Sequence, residues 1–321
     1  MSYVLKVKDL RVYFHTPLGP VKAVDGISFD LKSKERLGIV GESGSGKSTM
    51  AYSLMRLIKK PGKIESGNIT VGNEDILNLA AHEMRKRRFS KISLIPQGSM
   101  NSLNPVMRIE EQLIDTIRAH DESKSSISKH EKQAIVTKLL KSVGLDPALG
   151  KRFPHELSGG MKQRVTIAMG ISLNPEVIIA DEPTSALDVV VQRQVMDTLE
   201  KAQERIGAGL ILVGHDMGLM AQFVDRIAVM YAGKIVEIAP VKTIFNKPLH
   251  PYTKMLIKSL PKLDSHGKFH GIPGLPAQLL NLSKGCSFCL RIGRENKKEI
   301  PWVKVSESHY IRECKVCADY K

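Results

Sequence analysis

A glycine-rich segment of nine residues, Gly41-Glu-Ser-Gly-Ser-Gly-Lys-Ser-Thr49, carries the most specific chemistry in the sequence and fits the pattern G-x-x-x-x-G-K-[ST]. Glycines let a backbone turn with positive φ, so that successive N–H groups point at phosphate oxygens. Lysine would add a charge near the β- and γ-phosphates, and the following serine would ligate Mg²⁺. We therefore predict a nucleoside triphosphate site at Gly41, Ser43, Gly44, Ser45, Gly46, Lys47, Ser48 and Thr49.

The flanks of this segment favour the same function. Residues 36–40 form an apolar run of strand length, and residues 49–58 have the pattern of a helix that Pro61-Gly62 would end. A helix that begins at the loop points its positive end at a bound anion. A glycine- and serine-rich turn without a ligand is the alternative, but the complete pattern between a strand and a helix favours phosphate binding.

A second strand presents two adjacent acids. The apolar run Val177–Ala180 is followed by Asp181 and Glu182. The first acid would hold Mg²⁺, directly or through water, and Glu182 would polarise the attacking water. An acidic strand end that merely faces solvent is the alternative.

A second anion-binding helix start is predicted in Leu157-Ser-Gly-Gly-Met-Lys-Gln-Arg164. Ser158 is a favourable N-cap, and Gly159 and Gly160 leave the backbone N–H groups accessible. The segment lies too far along the chain to share the first site, which suggests that it serves the nucleotide of a partner subunit.

With these motifs the chain resembles the nucleotide-binding subunits of ABC transporters over about residues 3–261. The resemblance identifies Gly41–Thr49 as the Walker A motif, Leu157–Gln163 as the signature, Ile178–Asp181 as the Walker B motif and Ser185–Asp188 as the D-loop. It implies catalytic roles for Glu182, His215 and Gln97, Mg²⁺ contacts from Ser48, Gln97 and Asp181, and adenine stacking by Phe14 or alternatively Tyr13.

The fold expected from the sequence is α/β. Strands that alternate with helices predict a parallel sheet with right-handed crossovers. The resemblance implies a P-loop NTPase (RecA-like) core with an antiparallel β subdomain and a helical subdomain, which we place at about residues 98–172. We predict an ATPase domain over residues 1–261 and a small cysteine-bearing domain over residues 262–321. The family also implies a head-to-tail ATPase dimer, of identical chains or of paralogues, with ATP and Mg²⁺ between the subunits.

Further segments resemble the peptide/nickel importer branch of the family: Val21–Phe29, Asn101–Pro105, His250–Thr253, Ile272–Pro276 and Gly285–Phe288. This branch implies import of di- or oligopeptides, or of oligosaccharides in some relatives. The implied partners are two membrane permease subunits and, indirectly, an extracytoplasmic binding protein. The glutamine loop departs from the family pattern, because Gln97 is followed by Gly98 and Ser99.

The four cysteines of the chain form two pairs, Cys286-x-x-Cys289 and Cys314-x-x-Cys317, beyond the ATPase motifs. Such pairs suit tetrahedral thiolate binding of Zn²⁺ or of a four-iron four-sulfur cluster; unrelated surface thiols are the alternative. The spacing favours zinc, whereas the Gly285–Phe288 context resembles importers with a tail iron–sulfur cluster, which we expect here. Relatives place their next ligand where this chain has Ile292, so Cys289 would be a replacement.

Composition limits the other function classes. The chain has 321 residues, a net charge of +15 and 42% apolar residues, without the ~20-residue apolar run of a membrane span. With no signal-peptide pattern, we expect a cytosolic chain held peripherally on the cytoplasmic face of the membrane. Soluble ABC ATPases of DNA repair or of the ribosome are the alternative. Aromatic residues are only 5% of the chain, and one set of motifs is present, so we expect no nucleic acid partner.

Overall fold

A computed structural model describes residues 2–98, 102–121, 123, 127–260, 271–282 and 285–320. Ser99, Asn101 and the predicted domain boundary at 261–262 lie outside these described residues. The chain divides into two compact units. The first unit comprises Met1–Leu5, Asp30–Glu35 and Thr70–Ile211, and the second unit comprises Lys6–Phe29, Arg36–Ile69 and Leu212–Lys321.

The first unit contains a parallel pair of strands. Its strands include β5 (Glu74–Asp75), β6 (Ile92–Ile95), β7 (Val177–Asp181) and the first three residues of β8 (Gly209–Val213). β6 pairs with β7 in parallel, and every residue of β7 is buried. A continuous apolar run is the pattern of a parallel strand covered on both faces, as the sequence predicted for β7.

The helices in the described part of the first unit are α2 (Ala81–Arg87), α3 (Ile109–His120), α4 (Lys129–Ser142), α5 (Gly159–Gly170) and α6 (Val189–Ile206). Their periodicity explains their burial, since Ile109, Leu113 and Ile117 recur every four residues and are all buried in α3. Side-chain N-caps define where several of these helices begin. At the start of α6, the Asp188 carboxylate accepts the Val191 N–H at 3.0 Å. The 3₁₀ turns Pro147–Lys151 and Pro154–Glu156 lie directly before α5.

The strands of the second unit include most of three long strands, β1 (Tyr3–Thr16), β2 (Gly19–Lys32) and β4 (Gly62–Val71), with β1 in the middle. Gly62 and Gly67 both lie in β4, although glycine is more usual in turns than in strands. Gly67 instead marks a close backbone approach: its φ is 120°, and a Cβ there would lie 2.7 Å from the Cα of Leu10.

The remaining strands of the second unit are β3 (Arg36–Val40), β9 (Arg226–Tyr231), β10 (Lys234–Pro240), β11 (Trp302–Ser306) and β12 (His309–Arg312). β3 and β9 are parallel, and β10 folds back on β9 through Ala232 and Gly233, whose φ angles are 49° and 75°. These are hairpin-turn conformations. The sequence pattern does not predict β10, because Ala-Gly is a weaker turn signal than Asn-Gly.

Among the residues that the structure describes, the helices of the second unit are α1 (Lys47–Leu54), α7 (Met217–Phe223), α8 (Val241–Asn246), α9 (Pro251–Lys258) and α10 (Ser287–Arg291). The predicted helix at residues 49–58 is shorter than expected, since Arg56 adopts a φ of 51° just beyond α1. Among the described residues, none of the helices combines the length and apolarity that crossing a bilayer requires.

The cysteine-bearing tail joins the sheet of the second unit. β12 pairs antiparallel with β10, with Ile311 opposite Glu237. The buried Glu237 carboxylate also lies 2.8 Å from Nε2 of His309, which anchors the start of β12. The tail hairpin is therefore packed against the end of the predicted ATPase region, and the separate domain at residues 262–321 stays a prediction.

Candidate functional site

Close backbone contacts in the second unit require glycine at positions 41 and 46 of the phosphate loop. Gly41 follows β3 with a φ of 154°, and a Cβ there would lie 2.1 Å from the carbonyl oxygen of Met230. Gly46 has a φ of 102°, and its Cβ would lie 2.0 Å from the carbonyl oxygen of Ala23. Any side chain at either position would displace the backbone, so the loop is held directly on β9 and β2.

The other side of the loop is open and carries donors. A Cβ at Gly44 would meet nothing within 4 Å among the described residues, and Ser43 is exposed. The buried Nζ of Lys47 donates to the carbonyl oxygens of Gly41 and Glu42, at 2.8 and 2.9 Å. Ser45 Oγ is buried without a hydrogen-bond partner in the described part of the chain. An ammonium and a buried hydroxyl at a helix start fit an anion such as a phosphate chain.

Helix α1 and strand β1 place the other predicted nucleotide contacts of the second unit. Ser48 and Thr49 lie half-buried in the first turn of α1. The ring of Phe14 packs at Gly62, where a Cβ would approach it to 2.7 Å. The hydroxyl of Tyr13, the alternative for adenine stacking, donates to Asp25 at 2.7 Å. Adenine stacking stays a prediction for both rings.

The two acids of the first unit occupy different environments. Asp181 is the last residue of β7 and is fully buried. Glu182 is half-buried and adopts a φ of 44°. A non-glycine residue in this left-handed region costs about 1–3 kcal/mol and is enriched at functional sites.

Strand register brings Gln97 to Glu182. In the parallel pair of β6 and β7, Ile95 lies opposite Ala180. Gln97 and Glu182 each lie two residues beyond this pair, and Nε2 of Gln97 donates to Oε2 of Glu182 at 2.8 Å. The amide and the carboxylate, both predicted from the sequence to be catalytic, thus lie side by side and can hold one water molecule between fixed polar groups.

The predicted signature forms the start of α5 in the first unit. Ser158 is exposed, and its Oγ accepts the N–H of Met161 at 3.3 Å as an N-cap. Gly160 is buried against α6, where a Cβ would lie 2.5 Å from Val191 Cγ1. Gly159, between them, is half-buried. An accessible helix start without side-chain bulk suits a phosphate from a partner.

His215 lies in the second unit, between β8 and α7, and is exposed. The next residue, Asp216, caps α7 by accepting the N–H of Leu219 at 2.9 Å. The structure therefore places His215 in the loop directly before the capped N-terminus of α7. The catalytic role of His215 stays a prediction.

The four cysteines converge in the second unit. Their Sγ atoms all lie within 4.8 Å of one another, and all four residues are buried. The sulfurs of Cys286 and Cys317 are 3.9 Å apart, and those of Cys289 and Cys314 are 3.4 Å apart. Four unrelated surface thiols, the alternative from the sequence, do not describe this buried cluster.

Backbone geometry and a neighbouring amide support the cysteine cluster. A Cβ at Gly285 would lie 1.6 Å from the carbonyl oxygen of Asn296, which accepts the N–H of Cys286. The side-chain amide of Asn296 donates to Cys314 Sγ at 3.2 Å. A hydrogen bond from Cys317 lowers the pKa of the Cys286 thiol to about 5, and the same contact raises the pKa of Cys317.

Residues that the sequence did not indicate lie within the phosphate loop or against it. Glu42, inside the loop, forms an ion pair with Arg291 of α10, and its N–H donates to the hydroxyl of Tyr252 of α9 at 3.1 Å. Glu42 occupies a variable position of the loop pattern, and its partners lie more than 200 residues away. No local spacing could have indicated these contacts.

Family models match two regions of the chain. The ABC transporter model matches residues 24–185. The model described as the C-terminal region of oligopeptide/dipeptide transporters matches residues 236–293.

Curated relatives match over nearly the whole chain. The oligopeptide transport ATP-binding protein OppD of Bacillus subtilis is 43% identical, covering 97% of this chain and 88% of that protein. The dipeptide transport ATP-binding protein DppD of Lactococcus lactis is 41% identical, covering 96% of this chain and 90% of that protein.

A solved structure agrees with the fold. The dimeric structure of MJ0796, described as a bacterial ABC transporter cassette, is 28% identical with a TM-score of 0.64, covering 74% of this chain and 98% of that one. The same cassette is known in a post-hydrolysis state bound to ADP and Pi. The motifs, the whole-length identity and this likeness show that the chain belongs to the ABC transporter ATP-binding proteins, in the oligopeptide/dipeptide transporter branch.

Proposed function

We propose that this chain is the ATP-hydrolysing subunit of an ABC importer that takes up di- or oligopeptides. The hydrogen bond between Gln97 and Glu182 carries the catalytic part of the proposal, because it fixes a carboxylate that can orient the attacking water. Peptide cargo is supported by the relatives, which are named for oligopeptide and dipeptide transport.

The chain's own residues account for ATP binding and for the first steps of hydrolysis. The loop from Gly41 to Thr49 binds the phosphates through backbone N–H groups and Lys47. Mg²⁺, when bound, neutralises charge on the β- and γ-phosphates. Ser48, Gln97 and Asp181 would hold this ion, and their oxygen atoms are the hard donors that Mg²⁺ prefers. Glu182 orients the water, and Gln97 holds the carboxylate in place.

The proposed transporter also requires partner subunits. A second ATPase, identical or a paralogue, would supply Ser158, Gly159 and Gly160 to the nucleotide in trans, as the dimeric relative supports. His215 would act at the same nucleotide. Two membrane permease subunits would hold the chain at the cytoplasmic face of the membrane, and an extracytoplasmic binding protein would deliver the peptide.

Affinity purification from detergent-solubilised membranes tests the assembly. The tagged chain, expressed in its own host, should enrich in the membrane fraction and bring with it two polytopic permease subunits and an ATPase partner. Recovery of the chain in the soluble fraction with ribosomes or nucleic acid would contradict the importer and favour the soluble ABC ATPase alternative.

We further propose that the cysteine cluster holds one metal ion. A tetrahedral Zn²⁺ with Zn–S bonds of 2.3 Å requires sulfurs about 3.8 Å apart. The observed separations of 3.4 and 3.9 Å, within an overall limit of 4.8 Å, support that geometry. A four-iron cluster places irons and sulfides among its thiolates and needs a wider cage. The compact arrangement thus favours zinc over the cluster expected from the resemblance.

Metal analysis distinguishes these forms. Protein purified anaerobically without chelator should contain about one zinc per chain and be colourless. A brown preparation with about four irons per chain, bleached by dithionite, would instead establish the cluster. Replacing Cys289 with serine should lower the metal content several-fold, whereas Ser287→Ala, in the same helix, should retain it. Absence of both metals would reject the site.

A further inference from the structure

Glu42 places a negative charge inside the predicted phosphate-binding loop. It follows Gly41 in the phosphate loop, where the proposed ligand carries several negative charges. An unneutralised carboxylate there would repel the triphosphate, because interactions between nearby charges are strong where water is partly excluded. Its ion pair with Arg291 removes this repulsion.

Arg291 is built into this position. Its side chain is only 2% exposed and binds Glu42 in a bidentate arrangement, with Nη2 to Oε1 at 3.1 Å. Nε donates to the carbonyl oxygen of Pro273 at 2.8 Å, and the guanidinium lies 5.9 Å from the centroid of the Tyr231 ring. A bidentate guanidinium–carboxylate pair both neutralises the carboxylate and fixes its orientation.

Glu42 is held at three points, so its position determines that of the loop. Arg291 holds the carboxylate, Tyr252 accepts the N–H, and Lys47 donates to the carbonyl oxygen at 2.9 Å. The last contact links Glu42 to the lysine that the proposed function assigns to the phosphates. A shift of Glu42 would therefore move both the backbone and the charge of the site.

Arg291 lies on the same short helix as Cys289 of the cysteine cluster. Helix α10 has five residues, too few to be stable alone, and it carries Cys289 two residues before Arg291. The buried ring of Phe288 packs edge-on against Tyr231 and Tyr252, with centroids 5.9 and 6.0 Å away. The cluster and this aromatic contact together hold the helix that presents the guanidinium.

We propose that Arg291 is a positioning residue for the phosphate loop and couples metal occupancy of the cysteine cluster to ATP affinity. The inference rests on the proposed function, because it deepens the ATP site by adding a control element. In the metal-free chain α10 is released, Glu42 loses its counter-charge, and MgATP binds more weakly.

A double-mutant cycle tests this coupling by equilibrium MgATP binding. Arg291→Gln should raise the Kd by at least about tenfold, since it leaves a carboxylate unpaired at an anion site. Glu42→Gln in the same chain should restore most of the affinity, because the repulsive charge is gone. Arg294→Gln, which removes a more exposed ion pair with Asp319 in the same tail, should leave the Kd unchanged.

Equilibrium MgATP binding also tests the dependence on the metal. Protein stripped with chelator and desalted before MgATP is added should show a raised Kd in the unsubstituted chain and no further change in the Arg291→Gln/Glu42→Gln double variant. An unchanged Kd in Arg291→Gln, or no recovery in the double variant, would overturn the positioning role. An unchanged Kd after stripping would overturn the coupling. Failure of the unsubstituted chain to bind MgATP would overturn the proposed function as well, which distinguishes the two failures.

Discussion

Replacing Glu182 with glutamine is expected to lower kcat for ATP hydrolysis by about 100- to 10,000-fold, the usual contribution of a positioned general base. The amide keeps the shape of the side chain, and its carbonyl oxygen can still accept from Gln97, which now bonds Oε2 at 2.8 Å. Only the charge that activates water is lost. MgATP affinity should therefore stay within a few-fold, and the nucleotide-bound dimer should persist.

Single-turnover hydrolysis and equilibrium ATP binding together measure this effect. Glu176→Gln is the matched control, because the same change is made just before β7, at an ion pair with Lys91 outside the proposed chemistry. That variant should hydrolyse ATP normally. Turnover near the unsubstituted rate in Glu182→Gln would show that another group activates the water.

Replacing Ser158 with arginine is expected to reduce ATP hydrolysis by about 1000-fold or more, comparable to the loss of a trans-acting arginine finger. The serine is exposed at the start of α5, where the proposed partner nucleotide would bind. A long side chain would fill the space over the helix N–H groups and block closure of the dimer. Binding of MgATP to the single subunit should be unchanged.

The loss of the N-cap must be separated from the loss of the trans site. Removing the cap costs about 1 kcal/mol of stability, and Ser158→Ala loses the cap without adding bulk. The alanine variant should retain ATP-dependent dimerisation, measured by light scattering in the Glu182→Gln background, whereas the arginine variant should remain monomeric. Normal dimerisation and hydrolysis by Ser158→Arg would exclude the trans arrangement.

The sequence by itself determined the local chemistry of this protein. The phosphate loop, the strand that ends in Asp181 and the capped start of α5 each depend on a few consecutive residues. Glycine conformations, a buried apolar run and an N-cap act within one or two turns of backbone, so spacing alone predicts them. The family resemblance followed from the order of these motifs, and the comparisons with known proteins confirmed it.

Tertiary structure decided which distant groups meet. The pairing of Gln97 with Glu182 depends on the register of β6 against β7, which a shift of one residue would have changed. The convergence of the cysteines depends on a hairpin that pairs with β10, a strand that the sequence analysis missed. The contact of Arg291 with Glu42 spans 249 residues. Such contacts are selected by packing across the whole fold, and no periodicity in the chain encodes them.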